Sequence, residues 1–311
     1  MNRRTKSYDI LCVGELLVDM ISTDFADDLS QVEQFKRIQG GSPANLAMNM
    51  ARLGNQVGLV AGVGQDDMGD FLIQNVEQVG VSTQHITRTS TPTTLVLVTR
   101  SKEVSNFEAY RGADCELEAA QFPDELLRST NIFHTTCFAL SKPPAQNSIL
   151  VAAEKAAQFG AQLSIDLNYA AKIWQARAEA QKIVADYCAK GAIVKISEVD
   201  WERLYERPLQ DAAAVGQHFL NLGAKVVCVT LGGDGLWVIS KSERHFLPSR
   251  PIEVKDTTGA GDAFWSGFLT AWLDGKPLLV CAKSGRNMAE FKIQHFGTLG
   301  KVVEREILYR D

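Results

Sequence analysis

Apolar positions along the chain cluster into short runs separated by stretches with a helical repeat. Residues 8–14 (YDILCVG), 57–63, 132–136, 163–167, 193–196 and 226–231 are of the first kind, rich in β-branched side chains. Runs of this length and composition predict strands buried on both faces. Between them, residues 43–53 carry a helical pattern, and Pro43 suits its first turn. Residues 69–79 place Phe71, Leu72, Val76 and Val79 on one helical stripe, and another helix is predicted near 148–159. Two more are predicted over about 260–273 and 277–295. Strand–helix alternation with fully apolar strands predicts an α/β fold, a mostly parallel sheet covered on both faces.

Two segments break this rhythm, 19–39 and 93–111 (TTLVLVTRSKEVSNFEAYR). The second alternates like a β-hairpin with a charged turn near Ser101 to Glu103. Both read as insertions that build a small separate sheet.

Composition narrows the function. The chain has 311 residues, 45% hydrophobic and 22% charged, which is that of an ordinary globular protein able to bury a full core. Lys and Arg number 32 against 37 Asp and Glu, a net charge of −5. That balance argues against a basic nucleic-acid binder and leaves small-molecule chemistry open. No apolar run approaches the roughly 18 residues of a transmembrane helix, so no membrane partner is expected. The basic, polar start from Met1 to Tyr8 leads only into a short apolar run with Glu15 close behind, unlike a secretory signal. Cys12, Cys115, Cys137, Cys188, Cys228 and Cys281 include no CxxC pair. They read as reduced thiols of a cytoplasmic protein rather than a metal cluster.

The segment richest in chemistry is 256–267, DTTGAGDAFWSG. Gly259, Ala260 and Gly261 are small residues directly before a helix whose Phe264, Phe268 and Trp272 mark its buried face. Small residues let the backbone approach a ligand, and the unpaired N–H groups of a first helical turn attract anions. Asp262 sits in that turn, where a carboxylate could take a proton from an attacking hydroxyl. The plain alternative is an Asp at a helix start, which is common. GGSPAN at 40–45 offers a second glycine turn before a helix, with Asn45 supplying donor and acceptor groups for a sugar hydroxyl. It reads equally as an ordinary turn. Asp19 follows the first strand, at the carboxyl end where open α/β sheets bind ligands, or is simply solvated there. TLGGDG at 230–235 reads as a hairpin turn, as a nucleotide-lining loop, or as both. The chain has no GxxxxGK[ST], no protein-kinase motif set and no GxGxxG, since Gly62 and Gly64 are followed by Asp67. His85, His134, His218, His245 and His295 show no ligand spacing.

Taken together and in this order, these segments resemble the PfkB (ribokinase-like) family of carbohydrate kinases. The N-terminal pattern is carried by Gly40, Gly41, Pro43, Asn45, Ala47, Gly54 and Gly64. The C-terminal one is carried by Asp256, Thr257, Gly259, Ala260, Gly261, Asp262, Ser266 and Gly267. The likeness runs from GELLVDM at 14–20 to Gly297. It implies one kinase domain over 1–311, with a three-layer α/β/α core (1–18, 40–92 and 112–311) and a small β-sheet lid (about 19–39 and 93–111). It implies transfer of the γ-phosphate of ATP to a sugar hydroxyl. Asp262 would then be the base, and Gly259, Ala260 and Gly261, with the Asp262 amide, the anion hole. Asp19, Gly40, Gly41, Asn45 and Arg111 would bind sugar beside Asp262. Lys195, Thr230, Gly232, Gly235 and Asn287 would meet the nucleotide. Glu198, in KISEVDWE, would organise Mg2+ through water, and Asp256 and Thr258 would form part of a monovalent-cation site, for K+. A homodimer through the lid also follows from the likeness.

The chain departs from the pattern in three places. Lys195 stands where an Asn often precedes the glutamate, a mark of sugar kinases close to fructokinases. The DxNxR pattern reads Asp166, Asn168, Ala170, with Lys172 as the candidate replacement for the missing Arg. Ser284, Gly285, Arg286 and Asn287 replace the usual small run near adenine, which loosens the expected nucleotide preference. GELLVDM and AYRG at 109–112 look most like fructokinases and 2-keto-3-deoxygluconate kinases. Arg111 could bond a neutral sugar or pair with a carboxylate. Ala170 removes a cation that an acidic substrate would recruit, so fructose phosphorylated at its terminal hydroxyl is the expectation. 2-Keto-3-deoxygluconate and ribose are the alternatives, and a sugar phosphate would need more basic lid residues. A non-catalytic sugar-sensing protein is a reading of another class, opposed by the intact Asp262 and glycine turn.

Overall fold

The computed structural model describes residues 6–100, 106–295, 297 and 299–310. Its first strand, β1 (Tyr8–Val13), shows how the apolar runs work. Ile10 and Cys12 join one core while Leu11 and Val13 join the other, all fully buried. A strand with helices on both faces favours apolar residues on both, so period-two alternation fades.

After β1 the chain forms β2 (Leu17–Phe25), β3 (Phe35–Gly40), α1 (Ser42–Arg52), β4 (Val57–Gly64), α2 (Asp67–Glu77) and β5 (Ser82–Thr89). Then come β6 (Leu95–Arg100), β7 (Phe107–Tyr110), α3 (Asp124–Arg128), β8 (Thr130–Thr136), α4 (Ala145–Gln158), β9 (Gln162–Asp166) and α5 (Arg177–Cys188). The chain continues through β10 (Ile193–Ser197), α6 (Glu198–Tyr205), α7 (Ala212–Asn221), β11 (Val226–Thr230), β12 (Leu236–Ser240) and β13 (Arg244–Leu247). It closes with α8 (Ala260–Leu273) and α9 (Leu278–Ile293).

Nine strands form one sheet in the order β13-β12-β11-β10-β9-β8-β1-β4-β5. From β11 to β5 every neighbouring pair is parallel, and β12 alone runs against the rest, pairing antiparallel with both β11 and β13. One core gathers α4, α5, α6 and α7 on one face, and the other gathers α1, α2 and α8 with the start of α9 on the opposite face. This is the α/β architecture that the apolar runs predict. The strands β1, β4, β8, β9, β10 and β11 and the helices α1, α2, α4, α8 and α9 lie within a few residues of their expected bounds.

A second sheet has four strands in the order β3-β2-β6-β7. β2 and β6 run parallel at its centre, and β3 and β7 flank them antiparallel. The hairpin expected over 93–111 is the β6–β7 pair; its expected turn at Ser101 to Glu103 lies outside the described residues, as does the start of the chain from Met1. Among the described residues, no helix is long and apolar enough to cross a membrane.

Candidate active site

β1, β4, β8, β9, β10 and β11 all end on the same side of the large sheet, where open α/β sheets bind ligands. α8 begins there. Its N-cap, Gly259, has φ 73°, a left-handed turn that glycine adopts without strain, and no side chain caps the helix. The Ala260 amide is bonded to the Thr257 carbonyl at 3.1 Å, so the Gly261 and Asp262 amides and the positive end of the helix dipole are what the uncapped turn leaves open, and Asp262 lies there.

The Asp262 carboxylate is held from the opposite side of the cleft. Ser42 Oγ donates to Asp262 Oδ1 at 2.7 Å, and Asn45 Nδ2 donates to Oδ2 at 2.9 Å. Both donors lie on the first turn of α1, which packs against α8. Asn45 is itself oriented by Gln39, whose Nε2 donates to Asn45 Oδ1 at 3.1 Å. Burial pushes the Asp262 carboxyl up to about 6, and nearby Asp166 adds to the rise, against the bonds from Ser42 and Asn45 and the charge of Lys195. A carboxyl so placed is ionised near neutrality and is still basic enough to accept a proton.

Asp19, on β2, faces the same space. Burial raises it to about 7, and the charge of Asp262 contributes. Its carboxylate lies so close over Gly40 that a Cβ there would overlap it, and a Cβ on Gly41 (φ 99°) would overlap the Glu15 carbonyl. These contacts explain the paired glycines. Glu15 is buried, accepts from Thr136 Oγ1 at 2.9 Å and from the Ser42 amide at 3.3 Å, and is raised to about 8, chiefly by burial.

Arg111 closes the sugar-side group differently from expectation. Its side chain is 8% exposed and ion-paired through Nη2 to Asp114 at 2.5 Å. Nε donates to Asp114 at 2.7 Å, Nη1 donates to Ser141 Oγ at 2.8 Å, and the guanidinium stacks 4.1 Å from the Phe138 ring centre. Its charge is already neutralised.

On the other flank, Lys195 reaches from β10 to both oxygens of Asp166, at 2.8 and 2.9 Å, with 7% and 4% of the two side chains exposed. Burial alone would pull the ammonium down, but Asp166, Asp200 and Asp262 together hold it above its ordinary value. A Cβ on Gly261 would stand 3.3 Å from Lys195 Nζ, so the ammonium borders the glycine turn. Ser197, at the end of β10, pairs in register with Thr230, at the end of β11. Glu198 opens α6, and its Oε1 lies 3.5 Å from where a Gly232 Cβ would be. Burial raises Glu198, and the carboxylates of Asp234 and Glu202 raise it further. Gly235 (φ 113°) packs against the Leu247 carbonyl, where any side chain would collide, so its glycine serves the β11–β12 turn.

Three expected residues are engaged elsewhere. Asn287 is buried in α9; its amide donates to the carbonyls of Leu308 at 3.1 Å and Arg310 at 2.7 Å, and it accepts from Arg250 Nη2. It ties down the C-terminal segment, which leaves no N–H for a nucleotide. Lys172 donates to Glu108 at 2.6 Å and Asn106 at 2.8 Å, so it clasps the β7 end of the small sheet instead of replacing the missing Arg. Asp256 lies just before α8, accepts from the Thr258 amide at 2.9 Å and the Gly297 amide at 3.0 Å, and faces Lys292 at 3.5 Å. Ser42, Gln39 and Glu15 were not singled out by chemistry in the sequence. Ser42 sits inside GGSPAN, and no signal marked its partner 220 residues away.

The fold is that of a ribokinase-like α/β protein, with a carboxylate at the start of an uncapped helix. Residues 7–304 match the model of the pfkB family carbohydrate kinases. An ATP-dependent 6-phosphofructokinase of Thermoanaerobacterium thermosaccharolyticum is 34% identical over 294 residues, covering 94% of this chain and 90% of its own. A probable fructokinase-3 of Arabidopsis thaliana is 33% identical, covering 87% of this chain and 79% of its own. The solved fructokinase of Halothermothrix orenii superposes with a TM-score of 0.79 at 30% identity, covering 94% of this chain and all of that one. The chain belongs to the pfkB family of carbohydrate kinases. It is a phosphotransferase with an alcohol group as acceptor, as its sequence motifs anticipated.

Proposed function

We propose that the protein transfers the γ-phosphoryl group of ATP to the terminal hydroxyl of fructose. The observation that carries this reading is the placement of Asp262: a carboxyl raised to about 6, fixed by Ser42 and Asn45, beside an uncapped helix N-terminus lined by Gly259, Ala260 and Gly261. Asp19, Gly40, Gly41 and Asn45 bind the sugar, with Asp19 accepting from its hydroxyls. Asp262 takes the proton of the attacking hydroxyl on an oxygen lone pair left free by Ser42 or Asn45. The Gly261 and Asp262 amides and the Lys195 ammonium stabilise charge on the transferring group, and Thr230 and Gly232 line the nucleotide. Phosphoryl transfer asks mainly for positioning and charge neutralisation, which is what these groups supply.

Mg2+ fits at Glu198. This carboxylate and Asp234 repel one another, and a divalent cation held through water would relieve that. When bound, Mg2+ neutralises the β- and γ-phosphates. The small sheet acts as the lid over the sugar, and a dimer through that sheet and a cytoplasmic location belong to the same reading. The six cysteines are free and buried, in keeping with a reducing compartment.

The paired state of Arg111 supports a neutral sugar. An anionic one, whether 2-keto-3-deoxygluconate or fructose 6-phosphate, would have to displace Asp114 from it. The likeness to a 6-phosphofructokinase makes the sugar phosphate the second reading. ADP release from MgATP, measured with fructose, fructose 6-phosphate, 2-keto-3-deoxygluconate, ribose and adenosine, decides between them. Fructose should give the highest kcat/KM. A preference for fructose 6-phosphate would overturn the neutral-sugar reading, and silence on every acceptor with ATP bound would favour a non-catalytic protein.

A further inference from the structure

Lys292 is the penultimate residue of α9, and its side chain is only 10% exposed. Among the described residues its buried Nζ makes no hydrogen bond. Its charge is met by Asp256, whose Oδ2 lies 3.5 Å away. A buried ammonium is costly unless it answers a buried negative charge. Here it answers the carboxylate at which the family likeness expects a monovalent cation.

Asp256 joins three pieces of chain. Oδ1 accepts from the Thr258 amide and Oδ2 from the Gly297 amide, while the Asp256 and Lys255 amides both donate to the Ile293 carbonyl at the end of α9. Thr258 leads directly into Gly259, the left-handed N-cap of α8. The carboxylate therefore shapes the turn that aims the first amides of α8, and a positive charge beside it adds to the field at that helix start. With both oxygens bonded to amides and an ammonium facing one of them, little of the carboxylate remains for a free cation. The residues do not fit a potassium ion at Asp256 and Thr258.

We propose that Lys292 supplies, from within the chain, the single positive charge that a monovalent cation would otherwise bring to Asp256, so that the kinase works without potassium. The inference rests on the phosphoryl-transfer reading above. An ammonium and a potassium ion carry the same charge and are of similar size, so the one stands in for the other beside the Asp256 carboxylate.

The test compares potassium chloride with tetramethylammonium chloride at equal ionic strength. In the unmodified protein, sugar-dependent ADP release and the midpoint of thermal unfolding should be the same in both salts, and thallium-205 NMR should show no bound ion. Lys292→Met vacates the position. Its turnover should become potassium-dependent by about tenfold, a common size of coupling between sites. Its unfolding midpoint should rise with potassium, because a ligand that binds only the native state stabilises it. Potassium activation, potassium stabilisation or thallium binding in the unmodified protein would overturn the proposal, as would a folded Lys292→Met variant indifferent to potassium in both readouts. If that variant does not fold, the unmodified protein's response decides alone. Absence of turnover on every sugar would sink the kinase reading, while the unfolding and thallium measurements would still judge the role of Lys292.

Discussion

Replacing Lys195 with Met separates what the ammonium does for the fold from what it does for the reaction. Lys195 and Asp166 contact one another through both carboxylate oxygens, and each side chain is less than a tenth exposed. Removing one partner of such a pair leaves an uncompensated buried charge and costs about 3–5 kcal/mol. The unfolding free energy from urea titration should fall by that amount, with the midpoint moving and the slope unchanged. Adding Asp166→Asn removes the stranded charge, so the double variant should recover most of the loss, to within about 1–2 kcal/mol of the parent. Turnover should behave differently. The ammonium borders Gly261, and removing one preorganised electrostatic donor from such a position costs about 10²–10³ in kcat. That loss should remain in the double variant. Near-parental turnover in the double variant would show that Lys195 serves only to neutralise Asp166. A single variant destabilised by less than about 1 kcal/mol would refute the buried pair itself.

Three further outcomes follow from the same geometry. Asp19 must be ionised to accept from the sugar hydroxyls and Asp262 to take a proton, so kcat/KM should be level above about 7, fall tenfold per pH unit between about 7 and 6, and fall more steeply below about 6; Asp262→Asn should lower kcat by about 10²–10⁴ with sugar binding by calorimetry retained, and near-parental turnover would remove it from the chemistry. Gly40→Ala drives a Cβ into the Asp19 carboxylate, so the KM for sugar should rise while that for ATP stays put; the opposite pattern would move Asp19 to the nucleotide side. Asn287→Ala leaves the Leu308 and Arg310 carbonyls without their donor and should destabilise the fold by about 1–3 kcal/mol without changing the KM for ATP. A raised KM for ATP at unchanged stability would return Asn287 to the nucleotide.

The central strands were legible because burial on both faces concentrates apolar residues in short runs, broken only by buried polar groups such as His134, Ser164, Asp166 and Lys195. β5 was not, because STQHITRT lies at the sheet edge with most of its side chains only partly covered, and neither period nor hydrophobicity marks it. Likewise β13 reads RHFL, too short and too exposed to register. At the site, the glycine turns and Asp262 were visible as local patterns. Their partners were not, since Ser42 and Asn45 meet Asp262 across more than 200 residues of chain. Charged residues were hardest of all. Lys195, Arg111 and Lys172 are each a cation in a plausible place, and only the structure shows which carboxylate each one answers. Asn287 misled for the same reason: an amide's role lies in what faces it, and the backbone of 307–310 does.

The C-terminal segment works as a splint across the back of the site. Arg305 pairs with Asp274, just past α8, and donates to the Leu53 carbonyl and Asn55 Oδ1, just past α1, while the Val303 amide bonds the Arg52 carbonyl. These anchors lie at the far ends of the two helices whose near ends present Ser42, Asn45 and Asp262. α1 has 11 residues, so the splint acts about 16 Å from the carboxylate. Fixing the tails of two long levers fixes the gap between their tips. A clipped or rebuilt C-terminal segment would therefore be felt as a loosened grip on the Asp262 carboxylate, in a part of the protein it never touches.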